Sequence, residues 1–468
     1  MRRNALYLKW IILLLVLGPW SLVLGPAFAQ ETSISVTPLG GAGQSNGGGS
    51  HRLSLKDCLD MALANNARLA SKDYAIEGAQ WKYAETKVHG VPIFEYSNKS
   101  APVPRDARTA ARSFFEGDVT FFNASRFAVG MPLTGFGQLS VVQDLARKGI
   151  EAARAEKARD AVRLQSDIKQ LYYGVLLSQD LRELGEDAVR KIEDQLEKEE
   201  ETREHSPYEI LKLKVFKLEL EKRVQEAATK GDMAKEALKL QVGLGEHESI
   251  ALASSNLEPA HHDFKTLEQY LEEAVAVRPD SNLVDIGVAA KRLEFDLEKK
   301  KLLPRLGLGG FFEIARTAQE IRNVSTTDAF VNPFNYMRAG LGIEIKGTLD
   351  FKQAHSRINR LESEYQKAQL ERAFAKQGIE LEVKESFGEV KRLKESVVMA
   401  EQKQRMARQM MFLSKSNIEV GVGEEQEYTD ALQLVLASRG EYLKTVFDYN
   451  TALAKFEEKI GRKNHAME

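Results

Sequence analysis

The sequence has very little cysteine. Its one thiol, Cys58, leaves no intrachain disulfide framework and no cysteine-built zinc or iron–sulfur site. Proline is also scarce, at 12 residues in 468, and it is clustered, so long uninterrupted helices are possible. There is no charge excess. Lys plus Arg number 66 against 68 Asp plus Glu, which gives no electrostatic reason to expect nucleic acid as the partner. After the first 29 residues no run approaches the roughly 18 apolar residues of a membrane-spanning helix. Catalytic signatures are missing too: there is no phosphate-binding loop, metalloprotease helix or nucleophile elbow. Gly307-Leu308-Gly309-Gly310 lies inside a strand pattern, and His261-His262-Asp263 lacks further ligands nearby, so neither is read as a cofactor or metal site. The expectation is no enzyme, no catalytic residue, no cofactor and no metal.

Residues 1–29 have the form of a secretory signal peptide. Arg2, Arg3 and Lys9 precede an apolar run, which ends in the small-residue site Ala27-Phe28-Ala29. Residues 30–52 are rich in Gly and Ser and read as a flexible leader. Order is expected from Leu53. Ser54 is a candidate N-cap for a helix running to about His89, with Cys58 as a buried, inert thiol.

Period-2 patterns follow. Residues 119–133 alternate a mostly apolar face (Phe121, Phe127, Val129, Met131) with a small or polar one that includes Arg126. Residues 305–314 set Leu306, Leu308, Phe312 and Ile314 against Arg305, Gly307, Gly309 and Glu313. Residues 337–346 set Met337, Leu341, Ile343 and Ile345 against Arg338, Glu344 and Lys346. A weaker strand is expected at 91–96. The segments 97–118 and 315–336 read as long surface loops.

Each strand pair precedes a very long helical stretch, 137–204 and 349–419, on the order of 100 Å each at about 1.5 Å per residue. Shorter return helices follow at 207–242 and 424–460. The last carries a heptad seam, with Tyr428, Val435, Tyr442, Tyr449 and Phe456 on one line and Leu432, Arg439, Val446, Leu453 and Ile460 on the other. The second long helix starts with a similar seam at Ala354, Ile358, Leu361, Tyr365 and Ala368.

The order helix, two strands, long helix, return helix therefore occurs twice, at 53–255 and 256–462, with a short tail at 463–468. The fold class is mainly α with a small membrane β-barrel contribution. Four two-faced strands are not a stable sheet in water. Helices covering the apolar face would make a soluble α+β domain. If lipid covers it, the sheet edges must be closed by other copies, because unpaired edge groups cost several kcal/mol each in hydrocarbon. Two copies give 8 strands and three give 12; the physics requires an oligomer without choosing between them. The charged helices cannot cross the bilayer, so they project from the barrel into the periplasm as a tube.

Several motifs resemble the TolC family of outer-membrane efflux proteins. They are Leu53-Ser54-Leu55-Lys56-Asp57-Cys58-Leu59-Asp60-Met61-Ala62-Leu63-Ala64-Asn65-Asn66, Val129-Gly130-Met131-Pro132-Leu133 with Gly135-Phe136-Gly137, Leu171-Tyr172-Tyr173-Gly174-Val175-Leu176-Leu177, and Val420-Gly421-Val422 followed by Glu427-Tyr428-Thr429-Asp430-Ala431. The resemblance spans about 53–461. It implies a homotrimer with a 12-stranded barrel in the outer membrane and a long α-helical coiled-coil tunnel in the periplasm. It also implies a periplasmic membrane-fusion (adaptor) protein docking on the tunnel tip, and an inner-membrane transporter beyond it. Counted on from Gly421, the acidic residues that narrow the family's entrance fall on Glu427 and Asp430. The adaptor-docking tip falls on Gly421 and Val422 and on the first-repeat turn at Ser206 and Pro207, where this sequence lacks the family's Val-Gly. The polar strand faces make Arg126, Arg305, Arg338, Glu344 and Lys346 the candidate lumen-facing barrel residues.

The implied function is a passive duct carrying small toxic molecules across the outer membrane in a tripartite export system. The same tube would serve a type I protein secretion system. From other classes, a periplasmic coiled-coil scaffold or adaptor would lack the amphipathic strands, and an outer-membrane enzyme would need a convergent polar site.

Overall fold

The computed structural model describes residues 50–462 apart from 89, 203–206, 246, 325–327, 348–349 and 424. The expected signal peptide, the leader up to residue 49 and the tail at 463–468 lie outside the described residues.

A short strand β1 (Ser50–Leu53) leads into helix α1 (Leu55–Asn65) and then α2 (Ala67–Val88). Ser54 is the N-cap. Its hydroxyl accepts from Asp57 N–H while the Asp57 carboxylate accepts from Ser54 N–H, a reciprocal capping box. The single helix expected to run to His89 is in fact two. At Asn66 the backbone is extended, and its side chain caps α2 by accepting from Leu69 N–H at 3.1 Å.

The second repeat has the same break. α6 (Leu267–Val277) is capped by a Thr266–Gln269 capping box, and α7 (Pro279–Lys300) starts with Pro at N1 after an extended Arg278. Leu267 and Leu55 are 212 residues apart (267 − 55), and both helix pairs have equal lengths at that spacing. Thr266 is therefore the counterpart of Ser54.

The main sheet contains β2 (Ile93–Pro104), β3 (Val119–Thr134), β5 (Arg305–Thr317) and β6 (Tyr336–Lys346), all antiparallel, in the order β2-β3-β5-β6. β2 is much longer than expected. About a third of the supposed loop 97–118 belongs to it, and a one-and-a-half-turn helix α3 (Ala110–Phe115) occupies part of the rest. Pro102 and Pro104 hid this strand. They are tolerated because β2 is an edge, where one side of the backbone makes no ladder. Two four-residue strands, β1 and β4 (Ser249–Leu252), pair in parallel as a separate small sheet that the sequence pattern did not show.

The long helices are α4 (Gln138–Thr202) and α8 (Phe351–Glu419), and the return helices are α5 (Pro207–Val242) and α9 (Glu425–Lys459). They form a layered wall. Near the sheet the packing order is α2, α4, α7, α8. Towards the far tip it is α5, α4, α9, α8. The α9 seam faces the wall interior: Leu432, Val446, Tyr449, Leu453, Phe456 and Ile460 are all buried. Arg439, the polar member of that seam, lays its guanidinium over the Tyr442 ring at 5.4 Å.

The segment 253–266 between the repeats is a belt across α4 and α9, not a free linker. Leu257 N–H donates to Asp180 Oδ2 and Ala260 N–H to Asn450 Oδ1, while Asn450 Nδ2 donates to the Glu258 carbonyl. His262 is buried under it, 2.9 Å from the Tyr270 hydroxyl, and burial pushes its imidazole pKa down. Neighbouring His261 is exposed, so the two rings do not converge. All described residues belong to one compact unit, Gly48–Glu468.

Candidate functional site

The antiparallel register sorts the sheet's side chains into level rows. On the polar face, Ser97, Arg126, Glu313 and Arg338 are directly opposite one another across all four strands, so an acidic residue stands between two basic ones in the row. Next towards the helices but one is a row of Ile93, Gly130, Gly309 and Gly342. A Cβ at Gly130 or Gly342 would meet nothing within 4 Å. Nearest the helices, Arg305 faces Lys346 across the β5–β6 pair, and Glu344 is two residues before Lys346 on the same face. All five charged residues expected on this face are on it. Glu313 and Tyr336, whose hydroxyl donates to Glu313 Oε1 at 2.8 Å, complete the charge pattern.

The opposite face is apolar and exposed. One row is Phe94, Val129, Gly310 and Leu341. The next outward is Tyr96, Phe127, Phe312 and Ala339, with the Tyr96 and Phe127 ring centroids 4.8 Å apart. Beyond that aromatic row β2 and β3 turn polar, with Asn98 donating to Ser125 and Asn123 to Ser100. Along β5 the apolar face runs from Leu306 to Ile314, roughly 26 Å of strand at ~3.3 Å per residue. At the ~40° tilt of barrel strands this length spans about 20 Å of height, most of the ~25 Å apolar band, edged by aromatics, of outer-membrane barrels.

At the far end, α8 closes with a Schellman turn. Val422 N–H bonds the Asn417 carbonyl and Gly421 N–H the Ile418 carbonyl. Gly421 has φ +81°, a left-handed conformation that glycine adopts without strain. Gly423 is fixed for a different reason, since a Cβ there would sit 2.9 Å from Asn417 backbone carbon. Val420 and Val422 are each 77% exposed, so the turn presents two apolar side chains. Pro207, at the start of α5, is also exposed, and Ser206 lies outside the described residues.

Glu427 and Asp430 are three residues apart on the first turns of α9, on one side of the helix and both exposed. Asp430 Oδ1 accepts from Gln426 Nε2 at 2.9 Å and lies 4.0 Å from Lys212 Nζ of α5. Lys212 thus joins the two repeats at the tip. No sequence motif singled it out, because the contact crosses more than 200 residues.

The same two flanks of the molecule are unsatisfied along its whole length. β2 and β6 are the sheet edges. Below them, the flanking helix α2 exposes Tyr74, Trp81 and Val88 at heptad spacing, while α8 exposes Leu370, Phe374 and Leu381. Towards the tip, α5 exposes Leu211, Val215 and Leu218, and α8 exposes Met399, Met406, Met410 and Leu413. Among the described residues no helix is long and apolar enough to cross a membrane.

This architecture has relatives. Residues 270–462 match the family model described as outer membrane efflux protein. Over those residues the second repeat is similar to that family. That family and the channel structures below are outer-membrane channels rather than enzymes. Most of the chain, both repeats included, has the same fold as solved outer-membrane channels. A membrane protein from Pseudomonas aeruginosa superposes with a TM-score of 0.71 at 16% identity, covering 87% of this chain and 90% of that one. The Neisseria gonorrhoeae MtrE outer membrane channel gives 0.70 at 13% identity over 87% and 88%. The Campylobacter jejuni CmeC outer membrane channel gives 0.69 at 14% over 87% and 85%. No curated protein matches the chain in sequence. The efflux-protein match begins at Tyr270, within α6, so the first repeat is tied to the class by fold alone.

Proposed function

We propose that copies of this chain close head to tail into an outer-membrane duct of a tripartite export system, which carries small toxic molecules outward from the periplasmic side. The observation that carries this is the pair of unsatisfied flanks. The β2–α2–α5 flank and the β6–α8 flank are different surfaces of one molecule. A contact that joins one to the other is heterologous, and it closes into a ring when the rotation allows. Closure pairs the edge N–H and C=O groups that hydrocarbon would otherwise leave unpaired. It also covers the exposed stripes on α2, α5 and α8. The number three, giving 12 strands, rests on the resemblance to the TolC family.

In that ring the repeats 53–255 and 256–462 alternate around the wall. The polar sheet face lines the lumen with Arg126, Arg305, Arg338, Glu344 and Lys346. Glu427 and Asp430 recur once per copy as rings of carboxylates at the periplasmic entrance, where mutual repulsion favours cations. Gly421 and Val422, with Ser206 and Pro207 of the first-repeat turn, form the tip on which a periplasmic adaptor docks. An inner-membrane transporter beyond the adaptor supplies the energy.

The test is a gene deletion compared with its parent for sensitivity to dyes, detergents, antibiotics and metal ions, and for its secreted proteins. Gained sensitivity, reversed by the wild-type gene, with an unchanged secretome is the expected result. A missing secreted protein with unchanged sensitivity would replace this reading with a protein-secretion duct.

A further inference from the structure

If the polar sheet face is a lumen wall, as proposed above, its outer end should stand open to water. Instead it is covered. Ala124, Ala315 and Tyr336 belong to that face, and all three are buried, with Phe122 packed against them. The cover is the connection between β5 and β6. Gln319 N–H donates to Thr120 Oγ1 at 3.0 Å, and Asn335 Oδ1 accepts from Thr317 N–H at 2.8 Å. The Phe334 ring meets Phe122 edge-on at 6.5 Å. Arg322 pairs with Asp118, and Asn323 Nδ2 donates to Asp106 Oδ2, which ties the connection to the β2–β3 turn as well.

The strongest hold is Arg338. Its side chain leaves β6 on the polar face and does not extend freely. Nε donates to the Phe330 carbonyl at 2.8 Å and Nη2 to the Asn332 carbonyl at 3.2 Å, while the guanidinium lies over the Tyr336 ring at 4.2 Å. A guanidinium spanning two carbonyls two residues apart fixes the backbone path between them.

We propose that residues 318–324 and 328–335 fold into the outer mouth of the barrel as a strap latched by Arg338. The strap, rather than the barrel wall, sets the largest solute that can pass that end. This inference rests on the polar face being the lumen face. Each copy brings one strap, so a closed ring narrows its mouth from every subunit at once. Arg338 is then a positioning residue for the strap and adds little free charge to the lumen.

The experiment is thiol labelling of the full chain in intact cells, with reagents added outside. The reporter is Gly342→Cys, two rows inward of Arg338 on the polar face, where a new Cβ has open space. Native Cys58 stays silent, because burial both hides it and pushes its thiol pKa up to about 11. The probes are a small charged methanethiosulfonate and a long polyethylene-glycol maleimide. With the native strap the small probe labels Gly342→Cys and the polymer does not. In the Arg338→Ala background the polymer rate rises by roughly tenfold or more while the small-probe rate is unchanged, as expected when a constriction widens. Phe334→Ala, which removes the ring contact alone, gives a smaller rise, and it serves if Arg338→Ala fails to reach the membrane. Polymer labelling that is already fast with the native strap, or unchanged by both substitutions, overturns the strap. If the small probe fails to label Gly342→Cys but labels Ile343→Cys on the opposite face, the lumen assignment itself fails.

Discussion

In the first repeat the joint between the opening helices is Asn66. In the second it is Arg278 followed by Pro279. Both joints are clasped by the C-terminal turn of their own return helix. Gly243 ends α5 at φ +79°, and a Cβ there would lie 2.8 Å from Asn65. Gly461 ends α9 at φ +73°, and a Cβ there would lie 2.7 Å from Arg278 Cα. Five residues before each glycine is a fully buried side chain, Leu238 in the first repeat and Phe456 in the second. Facing them, Cys58 and Tyr270 occupy equivalent positions on α1 and α6. The backbone geometry is duplicated and the filling is not. The first joint is packed with small and aliphatic groups. The second holds an aromatic cluster of Tyr270, Phe456, Phe387 and the His262 ring, with Tyr270 and Phe456 centroids 4.9 Å apart. A backbone clasp restricts which glycines can change, whereas the space inside it admits several solutions of equal burial.

The aromatic filling is the first place to break this comparison. Phe456→Ala should lose about 3–5 kcal/mol, measured by denaturant unfolding in detergent, and Leu238→Ala less, though still above about 2 kcal/mol. Equal losses would mean that the aromatic contacts add nothing beyond buried volume. The clasp itself comes next. Gly461→Ala and Gly243→Ala should each cost roughly 1–3 kcal/mol and should match one another, since both combine a positive φ with an approach under 3 Å. If only one of them is costly, the joints are not equivalent.

The smallest expected effect is electrostatic and confined to the second joint. Arg278 Nη2 lies 2.9 Å from Glu382, which also pairs with Lys459 at 3.1 Å. Burial raises the Glu382 pKa, but Arg278 and Lys459 outweigh it and hold the carboxyl below its ordinary value. A depressed folded-state pKa gives stability that is present above the unfolded value and is lost as pH falls through the folded one. Thermal unfolding should therefore worsen on acidification below the ordinary glutamate value of about 4.5, and Glu382→Gln should flatten that decline. The effect is modest because Glu382 is 45% exposed. Asn66→Ala, which removes no ionisable group, should leave the pH profile unchanged.

Much of this molecule was legible from periodicity. The starts and ends of α4, α5, α8 and α9 fall within two residues of the expected stretches, because each is an amphipathic run with no interior proline, closed by Gly, Pro or an acidic first turn. The faces of β3, β5 and β6 were legible for the same reason, and the five charged residues expected on the polar face are there. β2 was cut short because Ser97 to Pro104 lacks apolar alternation. Its strand state comes from pairing with β3, not from its own side chains. The break at Asn66 was missed because asparagine is only a mild helix breaker. The clasp from Gly243 and the Asn66 amide bond to the Gln241 carbonyl, 175 residues away, make the joint. At the tip, Glu427 and Asp430 were singled out by counting within a motif, and Lys212 was invisible because nothing local marks it.

The sequence by itself determined the lengths of the two long helices and the two return helices, the two faces of three strands and the duplication. Those are properties of residues a few positions apart, where 3.6- and 2-residue periods act directly. The tertiary structure alone decided the pairing of β1 with β4, the belt at 253–266, the fold of the β5–β6 connection over the polar face, and the alignment of open sheet edges with exposed helix stripes on the same two flanks. Each of those depends on groups brought together from distant parts of the chain. Their contacts become favourable only once the long helices have fixed where the two repeats lie against each other.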